Sequence, residues 1–267
     1  DNNTAVGQGS LAANTTGANN VAVGALALDA STTASNNTAI GASALGANTT
    51  GTENAALGYI AGEDLTTGDA NTFLGTYSGA NTTTADSNTA VGRSSLTSNT
   101  TGASNTAVGA DALASNTTAS NNTAVGRRAL DANTTGSENT ALGKEALVAN
   151  TTAASNVGVG FKALFTNTTG EQNVGVGDSA LRANTTASGN VAIGHSSLTA
   201  NTTGSANVAV GKETLKTVTT GANNTAVGNQ ALFTNAASNN TAVGSGALAL
   251  TSTGSENTAL GTSAFAP

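Results

Sequence analysis

The sequence predicts an all-β fold: a parallel β-solenoid or β-roll of about sixteen coils with a 17-residue period. Three observations lead there. The chain repeats itself at a fixed interval. Its commonest residues (Ala, Gly, Thr, Asn and Ser) include few helix formers. Its larger apolar residues return at fixed places within each interval.

The interval is read from the asparagine that starts each unit. It stands at Asn3, Asn20, Asn37, Asn54, Asn71, Asn88, Asn105, Asn122, Asn139, Asn156, Asn173, Asn190, Asn207, Asn224, Asn240 and Asn257. Every step is 17 residues, except one of 16 after Asn224. Written by position, the unit is N-[TV]-A-[VIL]-G-x-x-A-L-x-x-N-T-T-[GA]-x-x. No linker or second domain interrupts it, so residues 1–267 read as one continuous repeat array. Seventeen residues are too few for a helical hairpin repeat, which needs about 34. Thr, Asn, Gly and Val are poor helix formers besides. One coil of a solenoid fits. Positions 2–5 form a short strand, 6–7 a turn, 8–10 and 12–14 further extended stretches, and 15–17 the turn into the next coil. Coils spaced by about 4.8 Å would stack into a rod on the order of 75 Å long.

The column positions suggest a core. Position 4 is Val, Ile or Leu in every unit, and position 9 is Leu except at Gly62, Gly79 and Phe265. Two stacked aliphatic columns are expected from these. Alternation along a strand then sends positions 3 and 5 to the other face. Position 5 is Gly in all sixteen units, and position 3 is Ala or Gly everywhere except Phe73. Columns this small mean close approach of another backbone or a positive φ. The expected use of this face is an interface between parallel copies of the chain, typified by Ala107, Gly109, Ala124, Gly126, Ala141 and Gly143. The position-1 asparagines are expected to form an amide ladder from coil to coil, satisfying polar groups that a thin core would strand.

Charge is confined. Charged residues are 9% of the chain, against roughly 25% in an ordinary domain. All fall at positions 6, 7, 10, 11, 16 or 17. All eight basic residues lie on the first of these edges, with eight acids. The second edge (16 and 17) carries only acids: Asp1, Glu53, Asp69, Asp86, Glu138, Glu171 and Glu256. The net charge of −7 argues against nucleic acid as a partner. No apolar run of about 20 residues is present to span a membrane. There is no cysteine, hence no disulfide. The chain starts in mid-turn and stops at Pro267 without polar caps. The expectation is a segment of a longer shaft, or copies stacked end to end.

The unit "NTAVGxxALxANTTGxxN" resembles repeats of bacterial and phage fibre-like surface proteins. Similar units occur in stalks ahead of self-cleaving trimerisation chaperone domains. "GYIAG" at 58–62 and "NTFLG" at 71–75 look like an aromatic variant of it. The "VAIG" repeats in heads of trimeric autotransporter adhesins are more distantly similar. The resemblance covers the whole chain. It implies a parallel β-solenoid or β-roll, often trimeric, on a cell surface or virion. For an adhesive fibre of this kind, surface glycans or a host surface are the expected partners besides the chain itself. The 17-residue period departs from the shorter adhesin repeat.

Candidate sites are few. His195 is the only histidine, beside Ser196 and Ser197. Stacked identical coils offer no cleft for a Ser-His-acid arrangement, so a solvated turn histidine is expected and no enzymatic activity. The spaced glycines near 160 are column residues, without the strand-to-helix context of a phosphate loop. Asp69 and Asp86 share position 16 of adjacent coils, about 5 Å apart. A hard cation such as Ca²⁺ would relieve their repulsion, with Glu53 nearby; the alternative is acids pointing into water. No other cofactor is indicated. Around Gly62 and Gly79 the bulky Tyr59, Ile60, Phe73 and Tyr77 either fill the space of the missing leucines or form a surface aromatic patch. Asn14, Asn48 and Asn99 match the glycan acceptor signal, but coils this close leave no room for a glycan on each. Position-12 Asn and position-14 Thr read as rungs of a coil-to-coil ladder, which, if both lie on one side, would form a flat polar array suited to ice; the same face could also be an interface between copies. The sequence therefore reads as an extracellular structural or adhesive fibre segment that self-associates. A monomeric ice-binding solenoid is the rival.

Overall fold

A computed structural model describes residues 2–234, 236–250 and 253–265. Asp1 of the acidic edge and the terminal Pro267 lie outside the described residues. The fold is all-β: parallel strands in one 16-stranded sheet form a β-solenoid of about 15 turns. The chain divides into two compact units, Asp1–Ser137 and Glu138–Pro267. The first carries β1 (Thr4–Val6), β2 (Val21–Val23), β3 (Thr38–Ile40), β4 (Ala55–Leu57), β5 (Thr72–Leu74), β6 (Thr89–Val91), β7 (Thr106–Val108) and β8 (Thr123–Val125). The second carries β9 (Thr140–Leu142), β10 (Val157–Val159), β11 (Val174–Val176), β12 (Val191–Ile193), β13 (Val208–Val210), β14 (Thr225–Val227), β15 (Thr241–Val243) and β16 (Thr258–Leu260). Pairing is in register, residue on equivalent residue, as in Thr106↔Thr123 and Val208↔Thr225.

Among the described residues each coil contributes only this one three-residue strand, at positions 2–4. The extended stretches expected at positions 8–10 and 12–14 are not strands. Positions 5–8 and 9–12 instead close two tight turns, as in Ala112 N–H to Gly109 O at 3.3 Å and Asn116 N–H to Leu113 O at 3.2 Å. The turns still bond from coil to coil: Leu113 N–H donates to Ala129 O, and Asp111 N–H to Arg93 O. The backbone ladder thus runs around the coil, beyond the strand.

The second turn explains the leucine column. Leu113 has φ 50° and Leu164 φ 53°, in the left-handed region. A bulky residue there costs roughly 1–2 kcal/mol. The same leucines are fully buried, and burying such a side chain returns about 1.5–3 kcal/mol. The leucine holds the corner because its side chain fills the interior.

The inside of the strand is the reverse of the sequence expectation. Position 3 faces inward and position 4 outward. Ala107, Ala124 and Ala141 are fully buried within their own chain. They therefore cannot be the interface between copies that the sequence suggested. The physical reason is the position-9 leucine. It packs over position 3 from the neighbouring coil, so that a Cβ on Gly158 would lie 3.2 Å from Leu147 Cγ. With that space taken, only a small residue fits. The Gly109, Gly126 and Gly143 column has its own cause. Their φ values are near +135°, and a Cβ at Gly109 would sit 2.6 Å from the Gly126 carbonyl oxygen. The close neighbour is the next coil, not a second chain.

Phe73 shows the same interior from the opposite direction. It is fully buried. A Cβ on Gly62 would meet its ring at 2.5 Å, and one on Gly79 at less than that. One phenylalanine fills the slots that two leucines leave empty. This is the space-filling reading of the irregular coils. Tyr59 and Tyr77 are not part of it: both are exposed, edge to face with ring centroids 5.6 Å apart.

Candidate functional site

The interior polar groups come first, because they decide which residues remain for the surface. The position-1 asparagines from Asn20 to Asn240 are buried, and the column forms a ladder. Asn105 N–H donates to Asn88 Oδ1 at 3.0 Å, and Asn105 Oδ1 accepts from Asn122 N–H at 3.0 Å. Asn105 Nδ2 also donates to Ala119 O at 2.9 Å. In the second unit Asn190 and Asn207 repeat the pattern. A second ladder, among the readings the sequence offered for the Asn-Thr-Thr face, runs through position 12. Asn116 Nδ2 donates to Asn99 Oδ1 at 2.9 Å and to Ala119 O at 3.0 Å. One carbonyl, at position 15, thus takes a bond from each ladder on its two lone pairs. This stitching replaces the large apolar core that the composition cannot supply.

Interruptions in the second ladder leave orphans. Leu65 follows Asn48, and Val218 follows Asn201; the Oδ1 atoms of Asn48 and Asn201 are buried without a partner. An aliphatic residue cannot donate to the rung before it. Asn48 and Asn99 are fully buried, so neither can carry a glycan. The flat Asn/Thr array is also absent: position-12 Asn points inward while position-14 Thr is exposed. At position 13, Thr117 Oγ1 donates to Thr134 O at 3.1 Å.

Two acids of the acidic edge, Asp69 and Asp86, have a structural explanation. At position 16 a serine or aspartate side chain accepts from the backbone N–H one coil earlier. Serine does this in several coils, as when Ser120 Oγ accepts from Ala103 N–H at 3.0 Å. Asp69 Oδ1 accepts from Thr52 N–H at 2.6 Å and Thr52 Oγ1–H at 3.0 Å, and Asp86 Oδ1 accepts from Asp69 N–H at 2.8 Å. The aspartates are therefore serine-like rungs with charge. Glu53 is exposed at a left-handed corner, φ 61°. No group of three acidic, His or Cys side chains that could hold a metal occurs among the described residues. His195 is exposed, and the neighbouring Ser197 turns inward to donate to Ala209 O at 3.1 Å. Those two residues do not form a nucleophile and base pair.

Two surface features remain. The first is the outer face of the sheet, positions 2 and 4, where no charged residue occurs. Position 4 leaves large aliphatics in water, among them Leu57 (50% exposed) in the first unit and Leu142 (48%) in the second. The second is the turn edge of positions 6, 7 and 10. There Lys144, Phe161, Lys162, Phe165 and Arg182 gather in the second unit. Sequence reasoning placed charges on that edge but did not see this cluster. The signal was available in phenylalanines at positions 6 and 10 of one coil, with basic residues in that coil and in both neighbours. On the same edge, Glu213 is held at a pKa of about 2 by hydrogen bonds from Lys216 and Gln230. Comparison with protein families, with curated proteins and with solved structures gave no match.

Proposed function

We propose that this chain is a structural segment of an extracellular fibre that self-associates and presents recognition chemistry on its variable turn edges. One observation carries the reading: the sheet's outer face is uncharged throughout and bears an exposed aliphatic column. Solvated strand positions ordinarily tolerate Lys and Glu. An exposed aliphatic column beside an uncharged row of mostly Thr and Val marks an interaction surface, and in-register repetition makes a second copy of the same face a matching partner. A trimer about a common axis and a filament are two arrangements that would cover it. The backbone and amide ladders supply the stiffness that such a role demands.

The test is the mass of the native assembly in solution. The reading expects a species larger than one chain. Val91→Lys with Val108→Lys should release monomer while leaving the circular dichroism spectrum unchanged, because both side chains point outward. A wild-type chain that stays monomeric at high concentration and shows thermal hysteresis would favour the ice-binding alternative.

A further inference from the structure

We infer that the second unit carries a binding site for an acidic saccharide, built on alternating cations and aromatic rings. The site deepens the fibre reading by naming what its turn edge recognises.

Five side chains alternate along adjacent coils. Lys144 Nζ lies 5.5 Å from the Phe161 ring centroid, and Lys162 Nζ lies 5.1 Å from the same ring. Lys162 Nζ is also 5.0 Å from the Phe165 ring, which Arg182 Cζ approaches at 5.9 Å. The order is therefore cation, ring, cation, ring, cation. Glu145 partly neutralises the first two, at 3.9 Å from Lys144 and 3.6 Å from Lys162. Arg182 belongs to no ion pair among the described residues and is exposed.

Beside Arg182 is a surface cavity of about 300 Å³ lined by Phe165, Thr166, Arg182, Ala183, Thr199 and Ala200. Its threonines do not make it polar. Thr166 Oγ1 donates to Arg182 O and Thr199 Oγ1 to Ser179 O, so both hydroxyls are engaged by backbone. The cavity is small for a ligand pocket, near the lower end of the usual range, and matches one sugar ring. A pyranose offers a C–H face to the Phe165 ring and alanine floor. A ring carboxylate suits the arginine fork, which binds such groups bidentately. Phe161, between two lysines, provides the platform for a second residue of an acidic oligosaccharide. The chain contains its own comparison: Lys216 lies 5.5 Å from the Phe233 ring but is bound by Glu213 at 2.8 Å. There the cation is committed, and no such site is assigned.

The test titrates the full chain with methyl glucuronide and methyl glucoside, followed by saturation-transfer NMR. The acidic sugar should bind at least roughly tenfold more tightly than the neutral one. Arg182→Gln should weaken it by roughly tenfold without changing thermal unfolding, and Lys216→Gln should leave it unchanged. Equal affinity for the two sugars, no saturation by glucuronide at high millimolar concentration, or indifference to Arg182→Gln would each overturn the assignment. Assembly in solution is read separately. A chain that assembles but ignores glucuronide refutes this site alone, and one that binds glucuronide as a monomer refutes self-association alone.

Discussion

Replacing Phe73 by alanine should open a hole that spans two coils. The ring is fully buried and occupies the space beside both Gly62 and Gly79. Removing a buried phenylalanine costs about 3–5 kcal/mol, the upper end when the surroundings cannot collapse. Collapse is resisted here, because the coils are fixed by backbone bonds such as Gly62 N–H to Ser78 O and Gly79 N–H to Ser95 O, both 2.9 Å. The same logic predicts a rescue. Gly62→Leu alone would overpack against Phe73, at about 1–3 kcal/mol. Combined with Phe73→Ala and Gly79→Leu, it restores the pattern of the other coils. Two leucines then fill the interior, each at a left-handed corner costing roughly 1–2 kcal/mol. The triple variant should come within about 2 kcal/mol of wild type. Repeat arrays need not unfold in one step, so the assay is native-state hydrogen exchange at the Gly62 and Gly79 amides. Phe73→Ala should accelerate both through local opening, and the triple variant should restore protection. A triple variant as unprotected as the single one would refute the reasoning.

Other consequences follow from the same geometry. Gly109→Ala should destabilise by about 3 kcal/mol or more, measured by chemical denaturation, because its Cβ would strike a backbone carbonyl. Asn105→Ala removes the acceptor of the buried Asn122 N–H, and a cost of about 1–3 kcal/mol is expected in the same assay. Leu65→Asn should be mild, within about 1.5 kcal/mol, because the new amide can donate to the orphaned Asn48 Oδ1 while the leucine's burial is lost. For Glu213, the folded pKa of about 2 lies below the ordinary value of 4.5. Its contribution to stability is therefore present above 4.5 and fades as pH falls toward 2. Carboxyl NMR titration should show the low midpoint, moving upward in Lys216→Met.

The period, the number of coils and the all-β class were legible because they depend on recurrence alone. The facing of the strand was not. Val and Leu at position 4 look like core beside Ala at position 3, and alternation only says that the two differ. What decides is the leucine of position 9, whose left-handed corner brings it over position 3. No spacing rule announces that corner, because bulky residues avoid it elsewhere. The asparagine of position 12 was legible as a ladder rung, but its inward direction was not. "NTT" suggested ladder rungs on one flat polar side, an interface between copies or a glycan signal; the ladder exists, but it is interior. The acids at position 16 were open to two readings, a cation site or acids pointing into water, and neither foresaw that Asp69 and Asp86 share with Ser120 the task of accepting a backbone N–H.

The facing of β7 is the hinge of this account, and a cysteine-free chain allows it to be read directly. Ala107→Cys and Val108→Cys place one thiol on each side of the strand. At low protein concentration, under native conditions, the thiol at 108 should react readily with a maleimide. The thiol at 107 should stay protected until denaturant is added. The opposite result, a reactive 107 and a protected 108, would return the aliphatic column to the core and contradict both the packing and the surface from which self-association is argued.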